Sequence, residues 1–217
     1  MTTFLYPPSL QTLLFDLDGT LLDSFAAHYG AYEIMLPQFG VEVSKERFFE
    51  VYSPDWLETY RLLGLPEALW EEADEVWLEA VRTIECKPFP EAEAVLAQLA
   101  KRFKLGLITS GSKDRVHRDL AQTNLSDFFE VIITGGDVDR PKPDPQGIHL
   151  ALAALGMEGE TAVSAVYIGD TLVDYETARA AGLPFIGIVG HFQAFPPDAN
   201  FPRLNGISEL LSLLKTI

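Results

Sequence analysis

Short unbroken apolar runs recur along the chain at residues 13–15, 105–108, 131–133, 165–168 and 185–189, and each predicts a short strand buried on both faces. Segments with apolar residues at helical spacing follow most of them, over 115–122, 145–155, 174–181 and 207–214. Strand then helix, repeated, predicts an α/β fold with a parallel sheet covered on both faces. Between Asp23 and Pro90 the pattern changes. No strand is legible there, while Leu69, Trp70, Ala73, Val76, Trp77, Ala80, Val81 and Ile84 recur at helical spacing as a packing stripe. The expected organisation is a core of residues 1–22 and 89–217 interrupted by an all-helical insert over 23–88. Lys87-Pro88-Phe89-Pro90 serves as a stiff hinge back to the sheet.

At 217 residues the chain is long enough for one full core and a small second unit. Its 47% hydrophobic and 22% charged residues are those of a soluble globular protein. The chain has no apolar run long enough to cross a bilayer, and residues 1–10 lack the basic start and apolar stretch of a secretory signal, so a cytoplasmic protein without a membrane partner is expected. A formal charge of −16 argues against nucleic acid as a partner, because duplex binding rests on clustered Lys and Arg. Residues 24–88 alone carry 13 acids and 5 bases, as a solvated acidic face would. Cys86, the lone cysteine, reads as an apolar filler. His117, His149 and His191 show no metal-ligand spacing and read as structural or solvent-facing, and residues 190–202 read as an ordered surface loop.

Chemistry gathers where the predicted strands end. After the first comes Asp16-Leu17-Asp18-Gly19-Thr20, two acids one residue apart followed by a turn. In open α/β sheets ligands bind beyond the carboxyl ends of the strands, so acids there face a substrate unless they merely cap backbone amides. After the second comes Thr109-Ser110-Gly111-Ser112, either a simple N-cap or an anion site made of a hydroxyl and free amides. Lys142 stands between Pro141 and Pro143, stiff flanks that aim an ammonium with little entropy lost. The fourth segment is Gly169-Asp170-Thr171-Leu172-Val173-Asp174. Four carboxylates converging from Asp16, Asp18, Asp170 and Asp174 would resist ionisation without a cation, and a hard divalent ion such as Mg²⁺ is the expected cofactor.

In this order, Asp16-x-Asp18-Gly-Thr20, Thr109-Ser110, Lys142 and Gly169-Asp170-x-x-x-Asp174 resemble the four motifs of the haloacid dehalogenase superfamily of phosphohydrolases, and the helical insert is similar to the cap domain many members carry. The resemblance implies a Rossmann-like three-layer core and a specificity lid placed over the active edge of the sheet. It also implies a Mg²⁺-dependent phosphatase for a small phosphorylated metabolite, such as phosphoglycolate or a sugar phosphate. Asp16 would be the nucleophile, Asp18 the general acid and then base, and Thr20 the residue that positions Asp18. Thr109, the Ser110 amide and Lys142 would hold the phosphoryl oxygens. Asp16, the Asp18 carbonyl and Asp170 would hold the metal, supported by Asp174. Two other functions fit parts of the pattern. One is a mutase similar to β-phosphoglucomutase, for which His28 stands at the matching distance from Asp16 as a substrate contact. Against it, Pro54 in Ser53-Pro54-Asp55 replaces the expected phosphate-gripping Arg, for which Lys45, Arg47 or Arg61 would have to substitute. The other is a receiver-like signalling domain, from which the chain departs in length and in its insert.

Overall fold

The computed structural model describes residues 10–216 except 53–55, 158–163, 191–194 and 197–198. Pro54 and His191, together with much of the predicted loop over 190–202, therefore lie outside the described residues. In chain order the elements are β1 (Thr12–Phe15), α1 (Ser24–Met35), α2 (Lys45–Val51), α3 (Trp56–Leu62), α4 (Trp70–Thr83), α5 (Ala92–Leu99), β2 (Lys104–Ile108), α6 (Lys113–Thr123), β3 (Val131–Ile133), α7 (Gln146–Ala154), β4 (Ala165–Gly169), α8 (Leu172–Ala180), β5 (Phe185–Ile188), β6 (Arg203–Leu204) and α9 (Glu209–Leu213). The chain divides into two compact units, one of Met1–Asp23 with Lys87–Ile217 and one of Ser24–Cys86.

The first unit is built on a six-stranded sheet of order β3-β2-β1-β4-β5-β6, with every pairing parallel. Parallel strands need helical crossovers, and a sheet covered by helices buries its central strands on both faces. That is why Leu13, Leu14 and Phe15 of β1 carry no polar atom beyond the backbone and are fully buried. One apolar layer joins Leu14, Ile108, Ile148, Leu152, Tyr167 and Phe185. The five expected strands and four expected helices are present, with ends shifted by a residue or two. Two elements lie outside the pattern read above. Helix α5 packs Ala92, Val95, Leu96 and Leu99 inward, and the two-residue strand β6 pairs with β5 through Gly187 and Ile188.

The registers set the site. Phe15 lies opposite Leu107 on β2 and Ile168 on β4, so the loops that begin at Asp16, Thr109 and Asp170 leave the sheet side by side at its carboxyl edge. The Asp16 N–H donates to the Ile168 carbonyl at 2.8 Å, which extends the ladder through the first acid. Asp23 N–H donates to the Lys87 carbonyl at 2.8 Å, so the chain leaves the sheet unit and returns to it at adjacent points.

The second unit is helical. Helices α1 and α4 pack along each other, burying Ala31, Ala80 and Val81. An aromatic cluster fills the rest, with Phe48 against Phe25, Tyr29, Tyr32 and Tyr52. The Tyr60 hydroxyl donates to Asp74 at 3.1 Å. Burial raises the Asp74 carboxyl above the usual carboxylate range, and this bond partly offsets it.

Candidate active site

The first loop turns sharply after Asp18 because Gly19 adopts φ +79°, a left-handed conformation open to glycine at little cost. Space makes the same demand, since a Cβ at Gly19 would overlap the carboxylate of Asp170. The loops after β1 and β4 thus touch through a residue without a side chain. Thr20, buried at their junction, donates its hydroxyl to Asp170 Oδ1 at 3.2 Å.

Asp16 is 6% exposed. Lys142 Nζ donates to its Oδ1 at 2.7 Å and to Asp174 Oδ1 at 2.8 Å, so one buried ammonium bridges a carboxylate just after β1 and one in the first turn of α8. The Lys142–Pro143 peptide is cis. Asp174 closes a capping box at the start of α8, its Oδ2 accepting from the Thr171 amide at 3.1 Å and hydroxyl at 2.6 Å. The Tyr167 hydroxyl sits 3.1 Å from Asp174 Oδ1 and 3.2 Å from the Ile108 carbonyl. Both oxygens of Asp174 are therefore engaged by the protein.

Oxygens of Asp16, Asp170 and Asp174 lie within 4.8 Å of one another. The electrostatic outcome follows from that crowding. Burial pushes the Asp16 carboxyl up to about 7; Lys142 pulls it down, while Asp174 and Asp18 push it further up. Burial likewise raises Asp170, together with the charges of Asp16 and Asp174, to about 9. Burial would lower Lys142, yet Asp16 and Asp174 outweigh it and hold the ammonium well above its ordinary value. A single ammonium does not neutralise this cluster. Asp16 and Asp170 are hard oxygen donors whose ionised forms call for a further cation, so the residues present fit a divalent ion such as Mg²⁺.

Thr109 is buried at the end of β2, its hydroxyl 3.4 Å from Asp18 Oδ2, and it accepts from the Gly111 amide at 3.1 Å. Thr109, exposed Ser110 and Lys142 line one pocket with Arg140 and Asp144. The sheet unit thus gathers Asp16, Asp18, Thr20, Thr109, Ser110, Lys142, Asp170 and Asp174. His28 lies on α1 in the helical unit, where it meets Trp77 edge to face at 5.4 Å.

Two departures from the sequence reading stand out. Thr20, expected to orient Asp18, bonds Asp170 instead, because the Gly19 turn carries its side chain toward the β4 loop. Asp18 is gripped by a residue the motifs did not include: Arg115 Nη1 and Nη2 donate to Asp18 Oδ1 and Oδ2 at 2.8 and 2.5 Å. A signal for Arg115 does exist in the chain. A cation in the first turn of a helix opposes the macrodipole and calls for an anionic partner. Tyr167 is a second such case, since a tyrosine in a buried strand needs a partner for its hydroxyl.

The family model for haloacid dehalogenase-like hydrolases matches residues 13–188. Among curated relatives, the pyrophosphatase PpaX of Listeria monocytogenes serotype 4a (strain HCC23) is 29% identical over 95% of this chain and 97% of its own. A phosphoglycolate phosphatase of Neisseria meningitidis serogroup A is 30% identical over 82% of this chain and 80% of its own. Among solved structures, a subfamily IA hydrolase of the haloacid dehalogenase superfamily from Geobacter sulfurreducens superposes with a TM-score of 0.74 at 24% identity. That match covers 95% of this chain and 97% of the other, and it speaks for the fold.

Proposed function

The chain belongs to the haloacid dehalogenase-like hydrolases and is a phosphoric monoester hydrolase among them, and from that premise we propose a Mg²⁺-dependent phosphatase that cleaves a small phosphorylated metabolite through an aspartyl-phosphate on Asp16. The observation that carries this reading is the buried cluster of Asp16, Asp170 and Asp174 around Lys142. On this reading Asp16 is the nucleophile, Lys142 a fixed cation, and Asp16 with Asp170 the pair of carboxylates that call for a divalent ion.

Asp16 Oδ attacks phosphorus in line and the bond to the leaving oxygen breaks. Asp18, protonated, gives its proton to that oxygen; as a carboxylate it then takes one from the water that cleaves the acyl phosphate and regenerates Asp16. Thr109, the Ser110 amide and Lys142 bind the phosphoryl oxygens and offset the repulsion between a carboxylate and a dianion. Asp16, the Asp18 carbonyl and Asp170 would hold Mg²⁺, with Asp174 fixing Lys142 and the ends of the loops. When bound, the ion neutralises charge on the carboxylates and the phosphoryl group. The helical unit is the proposed lid and the seat of specificity, with His28 as a candidate substrate contact.

The test is phosphate release from a panel of phosphorylated metabolites with Mg²⁺, with chelator, and with Asp16→Asn. Release by the wild type alone, lost with chelator, is the expected result. Undiminished release by a folded Asp16→Asn protein overturns the assignment. The panel includes β-glucose 1-phosphate with catalytic glucose 1,6-bisphosphate, where stoichiometric conversion to glucose 6-phosphate would replace hydrolysis by phosphoryl transfer between sugar positions.

A further inference from the structure

Arg115 is held with care that its place in the sequence does not explain. It stands in the first turn of α6, where positive charge is disfavoured by the helix dipole. Two carboxylates fix it there. Its Nη1 reaches Asp119 Oδ2 at 3.3 Å, and Asp119 is buried and accepts Arg118 Nε and Nη2 at 2.9 and 2.8 Å on its other oxygen. The guanidinium then donates from both terminal nitrogens to both oxygens of Asp18. Gly111 makes this approach possible, since a Cβ there would overlap Arg115 Nη2. The side chains of Arg115 and Asp18 keep 19% and 26% of their exposure, so a small ligand has access to the pair.

On the reading proposed above, Asp18 serves the leaving oxygen of the substrate, and whatever lies within reach of Asp18 on that side lies within reach of Arg115. A guanidinium is a rigid, planar fork that matches carboxylate and phosphate geometry with two parallel hydrogen bonds. As the structure stands, that fork is spent on Asp18. A substrate whose leaving group carries its own anion competes for the fork, binds it, and in doing so frees Asp18 for its work on the leaving oxygen. A neutral leaving group offers nothing in exchange.

We infer that Arg115 is a specificity-determining residue that selects phosphate esters and anhydrides whose leaving group bears a carboxylate or phosphoryl group beside the scissile oxygen. The inference rests on the aspartyl-phosphate reading for the position of Asp18, and it adds the substrate class.

The test compares kcat/KM for 2-phosphoglycolate with that for its carboxamide, 2-phosphoglycolamide, which differs in charge at nearly constant size; pyrophosphate forms a third arm. The wild type is expected to prefer the carboxylate. In Arg115→Ala the preference falls by about 10- to 100-fold, the scale of one hydrogen-bonded charge pair. Arg115→Lys, which keeps the charge and loses the fork, falls in between. Gly111→Ala retains the guanidinium but displaces it, and should also lower the ratio, so the inference stays testable if Arg115→Ala folds poorly. Loss on pyrophosphate but not on 2-phosphoglycolate assigns the fork to a phosphoryl leaving group, and the converse to a carboxylate. Equal loss on the carboxylate, the amide and pyrophosphate, or no loss on any of the three, overturns the inference and leaves the phosphatase reading intact. A wild type that releases phosphate from none of the three, nor from any ester of the wider panel, fails the phosphatase reading instead.

Discussion

Lys142→Met keeps the length of the side chain and removes the ammonium that bridges Asp16 and Asp174. Lys142 is 8% exposed at its side chain, Asp16 9% and Asp174 2%, so little water enters to replace it. Breaking a buried ion pair by removing one partner costs about 3 to 5 kcal/mol, because the charge left behind is uncompensated. A chain of this size loses about 2 to 4 °C of Tm per kcal/mol, so a drop of about 6 to 20 °C is expected in metal-free buffer at pH 8.5. The sign with pH follows from the direction of the shift. Asp16 is raised from 3.8 to about 7 in the folded protein, with Lys142 among the causes that lower it, so its folded value rises further in the variant. A carboxyl raised on folding contributes stability that is present below the unfolded value and is lost as pH rises through the folded one. Below pH 6 the variant therefore keeps Asp16 neutral and suffers least; above pH 7 its deficit against the wild type widens. Calorimetry in chelator between pH 5.5 and 8.5 reads this directly, and a double variant with Asp174→Asn should recover part of the loss. A deficit below about 2 °C, or one of equal size at both ends of the range, would refute the view that Lys142 neutralises buried carboxylates.

Asp170 and Asp16 are both raised, so the metal-free wild type should lose Tm as pH climbs from 5 toward 9. Added Mg²⁺ should restore it more at pH 8 than at pH 5.5; Asp170→Asn should weaken that response, and a Mg²⁺ shift independent of both pH and Asp170 would contradict the assigned site. Asp18→Asn should slow first-turnover cleavage of an alkyl phosphate by about 10² to 10⁴-fold and that of nitrophenyl phosphate far less. Equal losses in rapid-quench measurements would count against proton donation by Asp18.

Much of the core was legible because its signals are local. An apolar run flanked by turn residues marks a buried strand, and an acid just after it marks the functional edge, so the placement of Asp16, Thr109 and Asp170 at neighbouring strand ends needed only the order of elements. The insert was legible for the same reason, since helical spacing without strands persists from Asp23 to Pro90. What local patterning does not encode is which partner a side chain takes across the fold. Thr20 bonds Asp170, 150 residues away, rather than Asp18 beside it, because Gly19 turns the loop and leaves room for the β4 loop to approach. Arg115 meets Asp18 across 97 residues, a contact that exists only because β1 and β2 pair in register and Gly111 leaves space between them. Strand β6 was missed because two residues carry no periodicity and are recruited by the free edge of β5. Periodic burial and turn chemistry along the chain are enough to specify the sheet, the insert and the acids at its edge. The partners of those acids, and with them the charge balance of the site, were decided by packing, which brings distant side chains within hydrogen-bond reach only once every strand is in register.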